Sequence, residues 1–284
     1  MPDTCSTSIT GIDSHAHVFS RGLKLAATRR YAPDYDATLA EYLNHLSAHG
    51  LSHGVLVQPS FLGTDNSYLL AALRQVPERL RGVVVLEPGV SRALLNDMAH
   101  IGVVGVRLNL MDKALPDFCD RAWREFFSHI ADLDWHVELH REVKDLPALI
   151  HQLTPIGLKL VIDHFGRPDA HLGIDQPGFS ELLELGSRGS IWMKVSGIYR
   201  LGGTPQQNLN FARSALPLLE QSFGLHQLVW GSDWPHTQHE KSIGFDTVID
   251  QRQALECSMQ LSHSLLVQAP QRLFGFANHP RICR

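Results

Sequence analysis

The chain has 284 residues, 44% of them apolar and 19% charged, with a formal net charge of −4; it is long enough to bury a large core as one barrel domain or as two smaller ones. With no basic field and no run of Lys and Arg, it is not built to bind nucleic acid or a membrane surface, and small molecules are its expected partners. Residues Met1 to Thr10 carry neither a basic start nor an apolar core, no stretch approaches the ~20 apolar residues of a bilayer span, and Cys5, Cys119, Cys257 and Cys283 are scattered without the close pairs of a zinc or redox motif: a cytoplasmic protein with free thiols is expected.

The first strand-like run, Ile12-Asp13-Ser14-His15-Ala16-His17, places His15 and His17 on one face, because strand side chains repeat with period two. A long connection follows, through Phe19-Ser20-Arg21-Gly22 to Arg29-Arg30-Tyr31-Ala32-Pro33, sized to act as a lid or substrate wall. The first helix reads from Asp36 as N-cap through the stripe Leu39, Tyr42, Leu43 and Leu46 to a stop at Gly50. A second run spans 54–58. The loop after it, Pro59 to Asn66, offers hydrogen-bonding groups such as Ser60 and Asn66 before Asp65 or Asn66 caps a helix.

Runs at 82–86 and 103–108 flank a helix that opens at Ser91, carries Leu94, Leu95, Met98 and Ile101, and stops at Gly102. Further runs fall at 135–140, 158–164, 191–196 and 227–231; between the last two, Leu216, Leu219 and Phe223 precede Gly224. Strands apolar nearly throughout are buried on both faces, as in parallel sheets. Eight such units predict an α/β protein of the (β/α)8 TIM-barrel class, one domain with its core at about 11–276 and a short helical extension after Ser258. An open doubly wound sheet is the alternative, but no Gly-rich nucleotide loop follows any strand.

Barrel enzymes carry their chemistry at the C-terminal ends of the strands. There the sequence puts His15 and His17, Arg107 and Asn109, His140, His164 and Arg167, Tyr199 and Arg200, and finally Asp233 and His236. With 17 histidines in the chain a single imidazole means little; four of them beside a carboxylate on one rim form a catalytic constellation. His15, His17, His140 and Asp233 are candidate ligands for one divalent ion, zinc or manganese, with a position left for water. Arg107, whose fixed charge opposes a second cation, limits the site to one metal. Without a metal, Asp233 can accept a proton from water while imidazoles and an arginine polarise a carbonyl oxygen. Arg107, Lys113, Arg167 and Arg200 suit a substrate carboxylate, so the expected ligand is a small anion.

Together the motifs Asp13-Ser14-His15-Ala16-His17-Val18-Phe19, Pro59 to Asn66, Asp163-His164-Phe165-Gly166-Arg167 and Gly231-Ser232-Asp233-Trp234-Pro235-His236 resemble the amidohydrolase superfamily, in its branch of 2-pyrone-4,6-dicarboxylate lactonases and related lactone hydrolases. The resemblance covers nearly the whole chain. It implies a metal-independent attack of water on a lactone carbonyl, with Asp233 as general base, His15, His17 and His164 at the carbonyl, and Arg107, Arg167 and Arg200 on substrate carboxylates. His236, Ser60, Asn66 and Tyr31 are further candidate substrate contacts. Two departures stand out: His140 replaces a tyrosine and completes the ligand set of metal-binding relatives, and Lys113 stands where an arginine is expected.

Three functions are compatible with this pattern. The first is hydrolysis of a small carboxylated or sulfonated lactone, without a cofactor. A second is a mononuclear metal-dependent decarboxylase of an aromatic or enoic acid, motivated by His140. The third, a non-catalytic dicarboxylate binder, leaves Asp233 and the imidazoles without a purpose.

Overall fold

The computed structural model describes residues 8–255 and 258–276. Cys5, Cys257 and Cys283 lie outside the described residues, and Cys119 is an exposed free thiol. Eight strands run in chain order: β1 (Ile12–Ala16), β2 (His53–Val57), β3 (Leu80–Val84), β4 (Val103–Asn109), β5 (His136–His140), β6 (Lys159–Ile162), β7 (Ile191–Lys194) and β8 (Leu228–Val229). Each pairs in parallel with the next. The ring closes from β8 to β1, where Ser14 N donates to Trp230 O at 2.9 Å and Asp233 N to His15 O at 2.7 Å. This is the (β/α)8 barrel that the alternation of elements predicts, and it excludes the open sheet.

Helices α1 (Leu39–Ala48), α2 (Ser67–Gln75), α3 (Arg92–Ile101), α4 (Arg121–Asp132), α5 (Leu146–Leu153), α6 (Phe179–Gly186), α7 (Pro205–Phe223) and α8 (Phe245–Leu255) follow the strands. The expected extension is α9 (Met259–His263), a π-helical turn (Ser264–Gln268) and α10 (Ala269–Phe274). Among the described residues no helix is long and apolar enough to cross a membrane. One cap differs from expectation. Thr38, not Asp36, caps α1 in a reciprocal box with Glu41, while the Asp36 carboxylate is held by Arg21. Before α2, Asp65 Oδ1 accepts from Ser67 N, whereas the Asn66 amide bonds the Thr64 and Val85 carbonyls and the Val85 N–H.

Alternation along each strand splits the core in two. Leu56, Val84, Val137, Leu139, Ile162 and Met193 face outward to the helices. Val55, Val57, Val83, Val161, Trp192 and Val229 fill the lower interior, which Ala269, Leu273 and Phe274 of α10 close from below. Burial on both faces explains why these strands read as continuous apolar runs. Above the apolar layer the interior turns polar: in β5, His136, Glu138 and His140 alternate with Val137 and Leu139, and all five are buried.

The strands end earlier than the runs at 158–164 and 227–231 suggest. β6 stops at Ile162 and β8 at Val229, and His164 and Asp233 stand on left-handed backbone at φ 51° and 58°. Non-glycine residues pay a steric cost there, and such sites gather where side chains must be aimed.

Candidate active site

A cavity of about 350 Å³ opens at the C-terminal mouth of the barrel, lined by residues from the ends of β4 and β5 and from the loops after β1, β2, β4, β6, β7 and β8. Asp233 lines it and is 1% exposed. Its Oδ2 accepts from Tyr199 Oη at 2.7 Å and from Arg200 Nε. Oδ1 takes no hydrogen bond among the described residues and faces His17 Nε2 at 3.6 Å and His15 Nε2 at 3.8 Å. Burial alone would raise this carboxyl; the Arg200 guanidinium and His164 outweigh it and hold it well below the usual range.

Close backbone approach makes the convergence possible. A Cβ on Gly231 would meet His15 Cβ at 2.5 Å, and one on Gly197 would meet His164 Nδ1 at 2.7 Å. Both positions therefore require glycine. Asp13 ties the ends of β1 and β8 together, accepting from Ser232 N, Ser232 Oγ and Tyr42 Oη.

The shortest contact at Nδ1 sets the imidazole hydrogens; at His15 it is Lys194, ahead of the Glu138 and Asp163 carboxylates at 3.4 and 3.5 Å. Lys194 Nζ lies 2.8 Å from His15 Nδ1 and Arg107 Nη2 lies 3.2 Å from His140 Nδ1. An ammonium or guanidinium can only donate, so both Nδ1 atoms accept and both rings carry hydrogen on Nε2. His17 is the reverse: Nδ1 donates to Val57 O at 2.7 Å, leaving Nε2 to accept from His15 Nε2 at 3.3 Å. His164 Nδ1 contacts Ser196 Oγ at 2.9 Å, and its Nε2 lies 3.9 Å from Asp233 Oδ2. Burial pushes His17 down to about 4 and lowers His140 and His164 well below the ordinary value.

The carboxylates and cations pair almost completely. Asp163 Oδ2 takes Arg107 Nε and Nη2 at 3.0 and 2.8 Å, Glu138 pairs with Lys194 at 2.6 Å, and Asp233 pairs with Arg200. Arg30 bridges Asp112 and Asn109. Arg167 lines the cavity, makes no ion pair among the described residues and leaves Nε buried without a partner, its Nη1 donating to Arg200 O. Burial and the Arg200 charge bring its guanidinium down to about 10. His140 Nε2 is likewise buried and unpartnered at the same cavity.

Of the residues singled out from sequence, His17, Tyr31, Ser60, Arg107, His140, His164, Arg167, Arg200 and Asp233 line the cavity, and His15 lies directly beneath. Lys113 is an exposed turn residue outside it. Asn66 is spent on backbone bonds, and His236 is buried behind Tyr199, with Nδ1 3.3 Å from its hydroxyl. These three are withdrawn as direct contacts. Glu138, Asp163 and Lys194, given no role from sequence, form the layer under the histidines; Arg30 and Tyr199 join the wall. The one available signal was a charged residue inside an otherwise apolar strand, which is costly unless paired, but a single charge per strand does not say with what. The connection from 18 to 35 is a wall, tied to the loops after β4 and β8 by Arg30 to Asp112 and Tyr31 Oη to Glu240 Oε1 at 2.7 Å.

Among the described residues, two groups have ligand atoms within 4.8 Å of one another and could hold a metal ion: His15, His17 and Asp233, and His15, Asp163 and His164. His140 belongs to neither. Its Nδ1 takes the Arg107 hydrogen, and its Nε2 presents a hydrogen where a ligand needs a lone pair. His15 Nε2 is occupied in the same way. The donor pattern therefore does not match a metal-loaded site, although the atoms are close enough for one.

A family model described as amidohydrolase matches residues 12–276. The chain is 32% identical to a 2-pyrone-4,6-dicarboxylate hydrolase of Comamonas testosteroni, over 93% of this chain and 89% of that protein. It is 30% identical to a 4-sulfomuconolactone hydrolase of Hydrogenophaga intermedia, over 93% and 88%. A crystal structure of a candidate 2-pyrone-4,6-dicarboxylic acid hydrolase from Pseudomonas putida superposes with a TM-score of 0.91 at 60% identity, covering 94% of this chain and 98% of that one.

Proposed function

The chain belongs to the amidohydrolase family, and we propose that it is a lactone hydrolase, a single barrel domain with its core at 11–276, that opens a small cyclic ester carrying two anionic groups, with 2-pyrone-4,6-dicarboxylate as first substrate. One observation carries this reading: a buried, ionised Asp233 with one open carboxylate oxygen shares a cavity with Arg167, a guanidinium that no acid of the described residues neutralises. A cavity of this size and polarity suits a compact anion. The relatives named for dicarboxylate and sulfonate lactones support the same class.

In this reading Asp233 Oδ1 takes a proton from water as the water oxygen bonds to the lactone carbonyl carbon. The electron pair of the carbonyl moves to its oxygen, and the oxyanion is met by His164 Nε2, which carries a hydrogen when Ser196 Oγ donates to Nδ1. His15 and His17 hold the wall beside Oδ1. When the carbonyl reforms, the bond to the ring oxygen breaks and that oxygen takes the proton back from Asp233. The acid formed releases its remaining proton to solvent, so the product carries one carboxylate more than the substrate. Arg167 and His140 Nε2–H bind a substituent oxygen, Arg30, Tyr31 and Ser60 form the outer contacts, and Arg107 and Arg200 act mainly by orienting His140 and Asp233.

Were a divalent ion bound at His15, His17 and Asp233, it would supply an activated water; the arrangement of hydrogens favours the route without one. His140 motivated a decarboxylase reading, and its engagement by Arg107 removes that motive. The test is loss of ring absorbance of 2-pyrone-4,6-dicarboxylate with purified protein, wild type against Asp233→Asn. Turnover that depends on Asp233 supports the assignment, and no turnover of this compound or of 4-sulfomuconolactone would overturn it.

A further inference from the structure

Under the cavity floor, Lys194 is fully buried among three acceptors: Glu138 Oε1 at 2.6 Å, His15 Nδ1 at 2.8 Å and Asp163 Oδ1 at 3.3 Å. The contact with His15 Nδ1 is its hydrogen bond, and the two carboxylates hold its charge as ion pairs, with Glu138 Oε1 and Asp163 Oδ1 taking no hydrogen bond among the described residues. Glu138 comes from β5, Asp163 from the end of β6, Lys194 from β7 and His15 from β1, so the cation ties four strands across the barrel.

Two of those acceptors, His15 Nδ1 and Asp163 Oδ1, come from residues of one of the two groups close enough to hold an ion. The Lys194 nitrogen already stands between them. In the other group the same contact forces hydrogen onto His15 Nε2, which points at His17 Nε2. One lysine thereby affects both positions, by filling the first and by reversing the donor sense of the second. The chain of hydrogens runs one way, from Lys194 to His15, from His15 to His17 and from His17 to the Val57 carbonyl.

We propose that Lys194 is a positioning residue that serves as a built-in monovalent cation: it replaces an active-site metal ion and fixes the hydrogens of the His15–His17 pair beside Asp233. Glu138 and Asp163 hold the ammonium in place, and Arg107 neutralises the remaining charge of Asp163. A lysine placed only to stabilise the fold would have no reason to end on an imidazole nitrogen, since its two carboxylate partners already balance it. The catalytic part of this inference rests on the proposed lactone hydrolysis; the hydrogen pattern and the exclusion of metal do not.

The test uses the full chain. Long-range 1H–15N spectra of histidine-labelled protein, with His15 assigned by difference from His15→Asn, should show a bare Nδ1 and a hydrogen on Nε2 between pH 6 and 8. Hydrogen on His15 Nδ1 would overturn the proposal. The variant Lys194→Met with Glu138→Gln removes the cation together with one charge, and calorimetric titration with Zn2+ alone should find it binding zinc at least about 10-fold more tightly than wild type, the scale on which groups around a ligand tune metal affinity. A folded double variant with unchanged zinc affinity would count against the idea, as would wild type binding one equivalent of zinc in a manner abolished by His15→Asn. If the double variant does not fold, the wild-type spectra decide alone. In the lactone assay kcat should fall by about 100-fold with KM within about twofold, as for loss of an interaction made only in the transition state. A chain that turns over no lactone fails in that assay only, while the spectra and the zinc titration still report on Lys194.

Discussion

Arg107 Nη2 stands 3.2 Å from His140 Nδ1, and this contact makes His140 a hydrogen-bond donor toward the cavity. Asp163 holds the guanidinium with two bonds, so the orientation is imposed from beneath. The expected consequence concerns which side-chain amide can replace the imidazole. Glutamine can set its NH2 near the Nε2 position, and asparagine reaches only the Nδ1 position. His140→Gln should keep KM within about threefold of wild type, and His140→Asn and His140→Phe should raise it about 10-fold, the scale of one neutral hydrogen bond. Steady-state kinetics of the three variants on 2-pyrone-4,6-dicarboxylate check this, and equal losses in all three would contradict a donor role.

Asp233 offers one oxygen to Tyr199 and Arg200 and keeps the other open. Asparagine preserves the shape and removes the base. Asp233→Asn should lower kcat by about 10²–10⁴-fold, the range for general base catalysis, with the fold retained by circular dichroism. Tyr199→Phe deletes a bond to the oxygen that does not accept the proton, together with the hydroxyl's contact to His236 Nδ1, so a loss of less than about 10-fold is expected. A larger loss for Tyr199→Phe than for Asp233→Asn would mean that the tyrosine, not the aspartate, handles the proton.

Much of this site was legible because barrel topology converts sequence position into spatial position. His15, His17 and Asp233 are remote in the chain and neighbours in space because β8 closes on β1. Pairing was not legible. Arg107 and Arg200 have the composition of substrate ligands, yet each is engaged by an acid, Asp163 or Asp233, that only the folded register brings within reach. Lys194 was hidden in an apolar run because a single charge in a short strand gives no periodic signal. Asp36 lost its capping role for a local reason: Thr38 lies next to the first helical residue and can reach back to Glu41.

Arg167 is the guanidinium at this cavity without an acidic partner among the described residues. An anionic substituent therefore gains most from it, through a charge-assisted bond made in a desolvated place. Arg167→Met should raise KM by about 10–100-fold, corresponding to about 1.5–3 kcal/mol, and change kcat little. Arg167→Lys should restore binding only partly, because a lysine lacks the planar fork of donors that a guanidinium presents to a carboxylate. Kinetics with a lactone lacking the second anionic group provide the control: wild type and Arg167→Met should handle it alike, and a difference as large as that on the dianion would mean that Arg167 shapes the cavity and does not read the charge.

Buried neutral histidines give the fold and the reaction an acid limit. Burial brings His17 and His236 to about 4, against about 6.5 in an unfolded chain. Between those values the unfolded chain binds more protons than the folded one, so stability rises with pH across this window. The contribution is full above about pH 6.5, is lost progressively as pH falls toward 4, and changes no further below. Relative to neutral pH, each histidine costs the fold on the order of 3 kcal/mol once pH has fallen to about 4, which for the pair is large against the ~5–15 kcal/mol typical of a folded domain. Thermal unfolding midpoints should drop by about 8 °C or more from pH 7 to pH 5. In the same range kcat/KM should hold steady, then fall below pH 5 as His17 takes a proton, and fall again near pH 10 as Arg167 loses one. A midpoint that stays constant from pH 7 to pH 5 would show that these imidazoles are not held neutral by burial.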